Sequence, residues 1–207
     1  MKDIRFPKAL LFINALVPLG MLLWDVYHKR VGANPLEFVT RTTGMLTLVF
    51  LTVTLAVTPV RQITGLNWLT KFRRLLGLFA FFYGFLHLLT YLWFDRYFNL
   101  KSVPGDVALR PFIAVGMTAF FLMFPLAITS TSGMVRRLGG KRWKRLHQLV
   151  YVAGIAGVLH FWLLVKSDTR LPLTFAFILL LLLGHRLLVK FYPPGNPVRK
   201  ATLLPRD

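Results

Sequence analysis

The sequence predicts an all-α integral membrane protein, a bundle of six transmembrane helices with both the N- and C-termini cytoplasmic. Three observations lead there. Hydrophobic residues make up 56% of the 207 and charged residues 16%, with mean hydropathy +0.59, whereas soluble domains carry roughly 45–50% apolar and about 25% charged residues. The apolar surplus is gathered in blocks, as at 46–57, 75–92 and 112–128, that are nearly free of charge and so read as membrane helix. The charge is lopsided, with 26 Lys and Arg against 7 Asp and Glu. In a soluble chain that excess would suggest nucleic acid. Between apolar blocks it marks cytoplasmic loops and contact with anionic lipid, and no nucleic-acid partner is expected. Cysteine is absent, which excludes disulfides, thiolate metal sites, iron–sulfur clusters and thiol catalysis.

The spans fall near 9–27, 43–60, 72–94, 111–130, 146–166 and 171–190. Each is about the 20 residues needed to cross a hydrocarbon core of roughly 30 Å. The first follows a basic start (Lys2, Arg5, Lys8), as a signal peptide would. It lacks a small-x-small cleavage site and ends at Trp24-Asp25-Val26-Tyr27, so it reads as an uncleaved helix. Pro18, Pro125 and Pro172 mark kinks or helix starts. Residues 1–207 read as one transmembrane domain without internal repeats, ending at 193–207 in a polar, proline-rich tail. Orientation follows from the basic residues: 18 lie at the N-terminus, in the two even-numbered loops and at the C-terminal end, against 8 on the other side. Asp25, Glu37, Asp95, Asp106 and Asp168 all fall on that poorer side. Both termini are therefore placed inside.

Ionisable residues within spans are costly and are functional candidates by default. His28 lies just past the first span and reads as a solvated loop residue. His87 in the third span and His160 in the fifth both sit about 20 Å from the cytoplasmic end, at about 1.5 Å per residue. Two neutral imidazoles at one depth on different helices suit a b-type haem, each lending a nitrogen lone pair to iron while apolar side chains bury the ring. Phe81, Phe82, Tyr83, Phe85, Tyr151, Phe161 and Trp162 are the candidate walls. His147 lies near the inner boundary, level with Arg73 and close in depth to His185. A charged guanidinium has no lone pair to give, so Arg73 is expected to pair with a haem propionate beside an inner iron whose ligand is His147. On an ideal helix the 13 residues from His147 to His160 turn them about 140° apart, so stacked cofactors require local unwinding or tilt. Gly77, Gly84, Gly154 and Gly157 fit close helix packing or room for a flat cofactor. Two other classes stay open: a small transporter or proton-relay protein, and a cofactor-free membrane anchor whose histidines only tie helices together.

Arg73-Arg74-Leu75-Leu76-Gly77 through Tyr83 to His87 resembles the third-helix signature of the MsrQ (YedZ) family. Trp143-Lys144-Arg145-Leu146-His147 through Tyr151 to His160-Phe161-Trp162 resembles its fifth-helix signature. Arg41-Thr42-Thr43-Gly44, Thr58-Pro59-Val60-Arg61 and Ile128 to Gly133 also match, so the resemblance covers most of the chain. The family belongs with the ferric-reductase-like transmembrane domains. The resemblance implies a haem b subunit (one or two haems) of a methionine sulfoxide reductase system in the bacterial inner membrane, with His87, His147 and His160 as haem histidines. It implies no sulfoxide-reducing residues in this chain. The implied partner is a periplasmic molybdopterin methionine sulfoxide reductase, MsrP. Also implied are FMN and a supply of electrons from quinone or a cytoplasmic flavin reductase. Where many relatives in the wider superfamily have a second histidine on helix three, this chain has Arg73.

Overall fold

The computed structural model describes residues 4–165 and 167–191; the expectations for Lys2 and for the tail at 193–207 lie outside that range. In chain order the helices are α1 (Arg5–Tyr27), α2 (Pro35–Thr64), α3 (Arg73–Thr90), α4 (Val103–Leu109), α5 (Pro111–Ile128), α6 (Ser132–Leu138), α7 (Gly140–Leu146), α8 (Leu149–Leu164) and α9 (Arg170–Phe191). Among the described residues six segments are long and apolar enough to cross a membrane: α1, α2, Arg73–Asp95, α5, Gly140–Leu164 and α9.

Two spans differ from the sequence reading, each for a local reason. Helix α2 starts at Pro35 rather than near 43. The Asn34 side chain accepts the Glu37 backbone N–H at 3.1 Å, and proline at the first position is already set for helix. That polar turn is invisible to hydropathy. At the far end Gly65 adopts φ +71° and closes the helix. The fifth span is two helices, because around His147 the chain tightens: the N–H groups of Gln148, Val150 and Tyr151 each bond a carbonyl three residues back. Such turns advance about 20° more per residue than an α-helix, which brings His147 round toward the face of His160 without aligning the two.

Helices α2 and α3 pack antiparallel, as do α5 and α8, and small residues set the spacing. Gly77 meets Thr54, Gly84 meets Thr47 and Met123, Gly157 meets Leu48, and Gly154 meets Leu55 and Leu179. Leu48, Leu51, Leu55, Ala80, Met123, Ala153 and Leu179 form the apolar centre. Helix α1 joins through Tyr83, whose hydroxyl donates to the Ala15 carbonyl at 2.6 Å while its ring stacks on Phe50. The alternation places Arg61, Arg73 and α6–α7 at one end, the basic end, and Glu37, Asp95, Asp106 and Asp168 at the other.

A half-buried arginine that sequence reading passed over joins three helices of the basic half. Pro59 lies inside α2 and has no N–H, so the Leu55 carbonyl loses its intrahelical partner. Arg186 of α9 supplies a donor to that carbonyl at 2.7 Å and another to the Tyr151 hydroxyl at 2.6 Å, with its guanidinium over the Tyr151 ring. Arg186→Leu is expected to lower stability by about 1–3 kcal/mol through the orphaned carbonyl, and Pro59→Ala in the same chain to recover part of it. Thermal unfolding of the purified protein in detergent checks both.

Candidate functional site

On the third span (Arg73–Asp95) the residues Gly84, His87 and Tyr91 share one face, and on α8 Ala153, Gly157, His160 and Leu164 do the same, following the 3.6-residue period. Both faces turn into one cavity of about 870 Å³, within the range of roughly 300–1,000 Å³ usual for small-molecule and cofactor sites. Its deep walls include Leu48, Leu51, Met123 and Phe161, and the end near the acidic side carries Asn34, Arg41, Asp95, Arg110 and Asp168. Inside it the His87 and His160 rings lie 6.0 Å apart between centroids, at 77° to each other.

Each ring is held in the same way. His87 Nδ1 lies 2.9 Å from the Thr40 carbonyl of α2, and His160 Nδ1 lies 2.6 Å from the Phe112 carbonyl of α5. A carbonyl can only accept, so Nδ1 carries the proton in both, and each Nε2 keeps its lone pair. Neither Nε2 has a hydrogen-bond partner among the described residues. Four residues beyond each carbonyl stands a glycine. A Cβ on Gly44 would come within 3.0 Å of the His87 ring, and one on Gly116 within 2.7 Å of His160 Nδ1. The missing side chains are what let the rings reach the neighbouring backbone.

The other candidates lie elsewhere. His28 is exposed, with Nδ1 on the Trp24 carbonyl at 2.9 Å. His147 does not line the cavity; it stacks on Trp143 at 3.9 Å, and Trp143 donates to the Thr129 carbonyl. His147 Nε2 is 3.1 Å from the Thr129 hydroxyl, whose own proton goes to the Pro125 carbonyl at 2.6 Å. Nε2 therefore donates and Nδ1 has the lone pair. Arg73, the first residue of α3, lies within electrostatic reach of His147, the neighbour its depth suggested. His185 has a buried Nδ1 without a partner among the described residues. Of the seven candidate wall aromatics only Phe161 lines the cavity. Tyr83 and Phe82 face α1, Tyr151 belongs to Arg186, Phe85 and Trp162 are exposed toward the surroundings, and Phe81 reaches the cavity only through its stack on Phe120. The reason is rotation: neighbours of His87 in sequence point about 100° away.

Sequence reading missed Gly116, Thr40 and Phe112. The carbonyls carry no side-chain signal. Gly116 had one, being the single glycine of α5, at the depth of His160.

The profile described as "Ferric reductase like transmembrane component" matches residues 43–158. The chain is 53% identical over 178 residues to the protein-methionine-sulfoxide reductase heme-binding subunit MsrQ of Herminiimonas arsenicoxydans, covering 85% of this chain and 82% of that one. It is 52% identical to the MsrQ of Ralstonia nicotianae (89% and 86% covered) and 48% identical to that of Rhodospirillum rubrum (88% of each). The chain belongs to the MsrQ family. The matched profile region takes in Gly44, Arg73, His87, Gly116 and His147 and ends two residues before His160; the MsrQ relatives extend over most of the chain.

The glycine cradles make a graded prediction. Gly116→Ala and Gly44→Ala each push a tethered ring off its carbonyl, at an expected cost of about 1–3 kcal/mol. The Gly116 substitution is the worse of the two because its contact is closer and is to the bonded nitrogen itself. Thermal unfolding of the two variants side by side checks the order.

Proposed function

We propose that the chain is an electron-transfer subunit that holds haem b between His87 and His160 and passes electrons across the bacterial inner membrane to a periplasmic molybdopterin methionine sulfoxide reductase, MsrP, for repair of oxidised envelope proteins. The observation that carries this is the pair of imidazoles facing one cavity, each with Nδ1–H committed to a carbonyl and Nε2 free. Ligating histidines characteristically donate their second ring nitrogen in this way, which fixes ring orientation and raises the basicity of the ligating one. The residues thus fit the group. Haem bound there supplies a one-electron ferric–ferrous couple. Thr40 and Phe112 hold the rings, Gly44 and Gly116 admit them, and Leu48, Leu51 and Met123 keep water from the deep end.

At the basic end, His147 is the proposed histidine for a second haem. Trp143 holds its ring and Arg73 stands ready for a propionate, since a charged guanidinium cannot ligate iron. Electrons enter at this end from quinone or a cytoplasmic flavin reductase. The FMN that goes with the family is proposed to meet its phosphate partners among the cations of α6 and α7. The partner reductase docks at the acidic end. Glu37, Asp95 and Asp168 are exposed there, whereas Asp106 is buried and paired within the chain.

An absorption spectrum of the purified protein is the test: a Soret band with sharp reduced α and β bands is expected, and a colourless preparation would sink the reading. His87→Ala and His160→Ala should each remove the low-spin centre of the cavity, and unchanged haem content in either takes that residue out of the ligand set. Arg73→Ala should loosen an inner haem without a change of spin state; conversion to high spin with haem retained means that arginine was the ligand. Orientation is checked by reporter fusions, expected periplasmic after Asp25, Asp95 and Asp168 and cytoplasmic after Gly65 and Lys141, with the reverse pattern overturning the direction of transfer.

A further inference from the structure

We propose that Arg110, held in place by the buried carboxylate of Asp106, is the anchor for a carboxylate of the ligand in the His87–His160 cavity. This rests on the haem reading above and deepens it: the propionate edge of haem b would face the acidic end of the bundle, at Arg110.

Asp106 is an anomaly on this surface, only 7% exposed in a short helix between spans. Its carboxylate accepts from the Tyr91 hydroxyl at 2.9 Å, pairs with Arg96 at 2.5 Å and lies 3.5 Å from Arg110 Nε. Its backbone carbonyl also takes the Arg110 N–H at 2.9 Å. Tyr91 stands one helical turn beyond His87 on the same face of the third span, and Arg110 stands two residues before Phe112, whose carbonyl holds His160. The one carboxylate therefore ties the span that carries His87 to the start of α5, whose Phe112 carbonyl holds His160. It is also flanked by two guanidinium groups, so Asp106 and its two arginines together carry one positive charge, while Glu37, Asp95 and Asp168 supply the negative groups of the same cavity end.

That charge has an address. Two cations among the described residues line the cavity, Arg41 and Arg110. Arg41 lies 3.2 Å from Glu37 with both side chains largely in the open, an arrangement that contributes little. Arg110 keeps Nε 3.5 Å from Asp106, its side chain is 46% exposed, and neither Nη nitrogen has a partner among the described residues. A guanidinium with its Nη fork open beside the cavity is suited to a carboxylate, through charge-assisted hydrogen bonds. The opposite walls of the cavity are apolar, so an amphiphilic ligand with acids along one edge is oriented by the same contrast.

The test uses the full chain in nanodiscs, stripped of haem and reconstituted with haem b or with its dimethyl ester, which lacks the negative charges. The unmodified protein is expected to bind the ester at least tenfold more weakly, Arg110→Gln to lose that discrimination and Arg110→Lys to keep part of it. In haem-loaded Arg110→Gln, the cavity centre should become harder to reduce by about tenfold in its redox equilibrium, about 59 mV for one electron, because a cation that favours the added electron is gone. In an Asp106→Asn background the same substitution should shift the equilibrium less, a non-additivity that a merely structural Asp106 would not produce. Equal binding of haem and ester by the unmodified protein overturns the proposal, as does an unchanged potential in Arg110→Gln with its low-spin spectrum intact. Additive shifts remove Asp106 from it. If the Arg110 variants do not accumulate, the ester comparison decides alone. An unmodified protein that binds neither compound refutes the haem reading itself, whereas haem binding lost in His87→Ala together with indifference to the ester refutes only the anchor.

Discussion

The arrangement of the bundle depends on one interaction made twice: an imidazole N–H donated across a helix interface to a backbone carbonyl that already has a place in its own helix. His87 reaches Thr40 and His160 reaches Phe112, and in each case a glycine one turn on leaves the space. Such a bond demands close approach, so it settles the distance of α2 from α3 and of α5 from α8. It also settles which nitrogen is free. In a medium with little water a partnerless imidazole N–H would be costly, and satisfying it with backbone leaves the opposite lone pair facing the cavity.

The same scarcity of partners explains the rest of the polar interior. Threonines at 43, 47, 54, 118 and 129 return their hydroxyls to carbonyls four residues back, a bond that any helix offers. Proline at 59 creates a deficit, and an arginine from another helix, 131 positions along the chain, makes it good. At the acidic end Asp106 draws two arginines and a tyrosine, so the strongest charge cluster sits where the cavity opens to polar residues. The two ends are chemically unlike. One has cations stacked on aromatics and carbonyls without a carboxylate among the described residues, and the other has a carboxylate that organises its cations.

Amino-acid order by itself determined the number of spans, their alternation and the depth of each histidine. Apolar content and a fixed rise per residue are properties of a segment, independent of its neighbours. Depth alone was enough to bring His87 and His160 to one level. Rotation about each helix axis was not settled in the same way. Six of the seven aromatics picked as walls face elsewhere, because a residue adjacent to a histidine in sequence points off its face, and which face turns inward depends on the small residues of other helices. Local backbone events were hidden too, since the tightening at His147 and the early capped start of α2 break hydropathy patterns without changing them much. The carbonyls of Thr40, Phe112 and Leu55, the roles of Gly116 and Arg186 and the clamp at Asp106 were decided only by tertiary structure. Apart from the ion pairs of Asp106 with Arg96 and Arg110, these are contacts between segments 15 to 131 residues apart, and a hydrogen bond to backbone has no partner side chain by which a sequence could announce it.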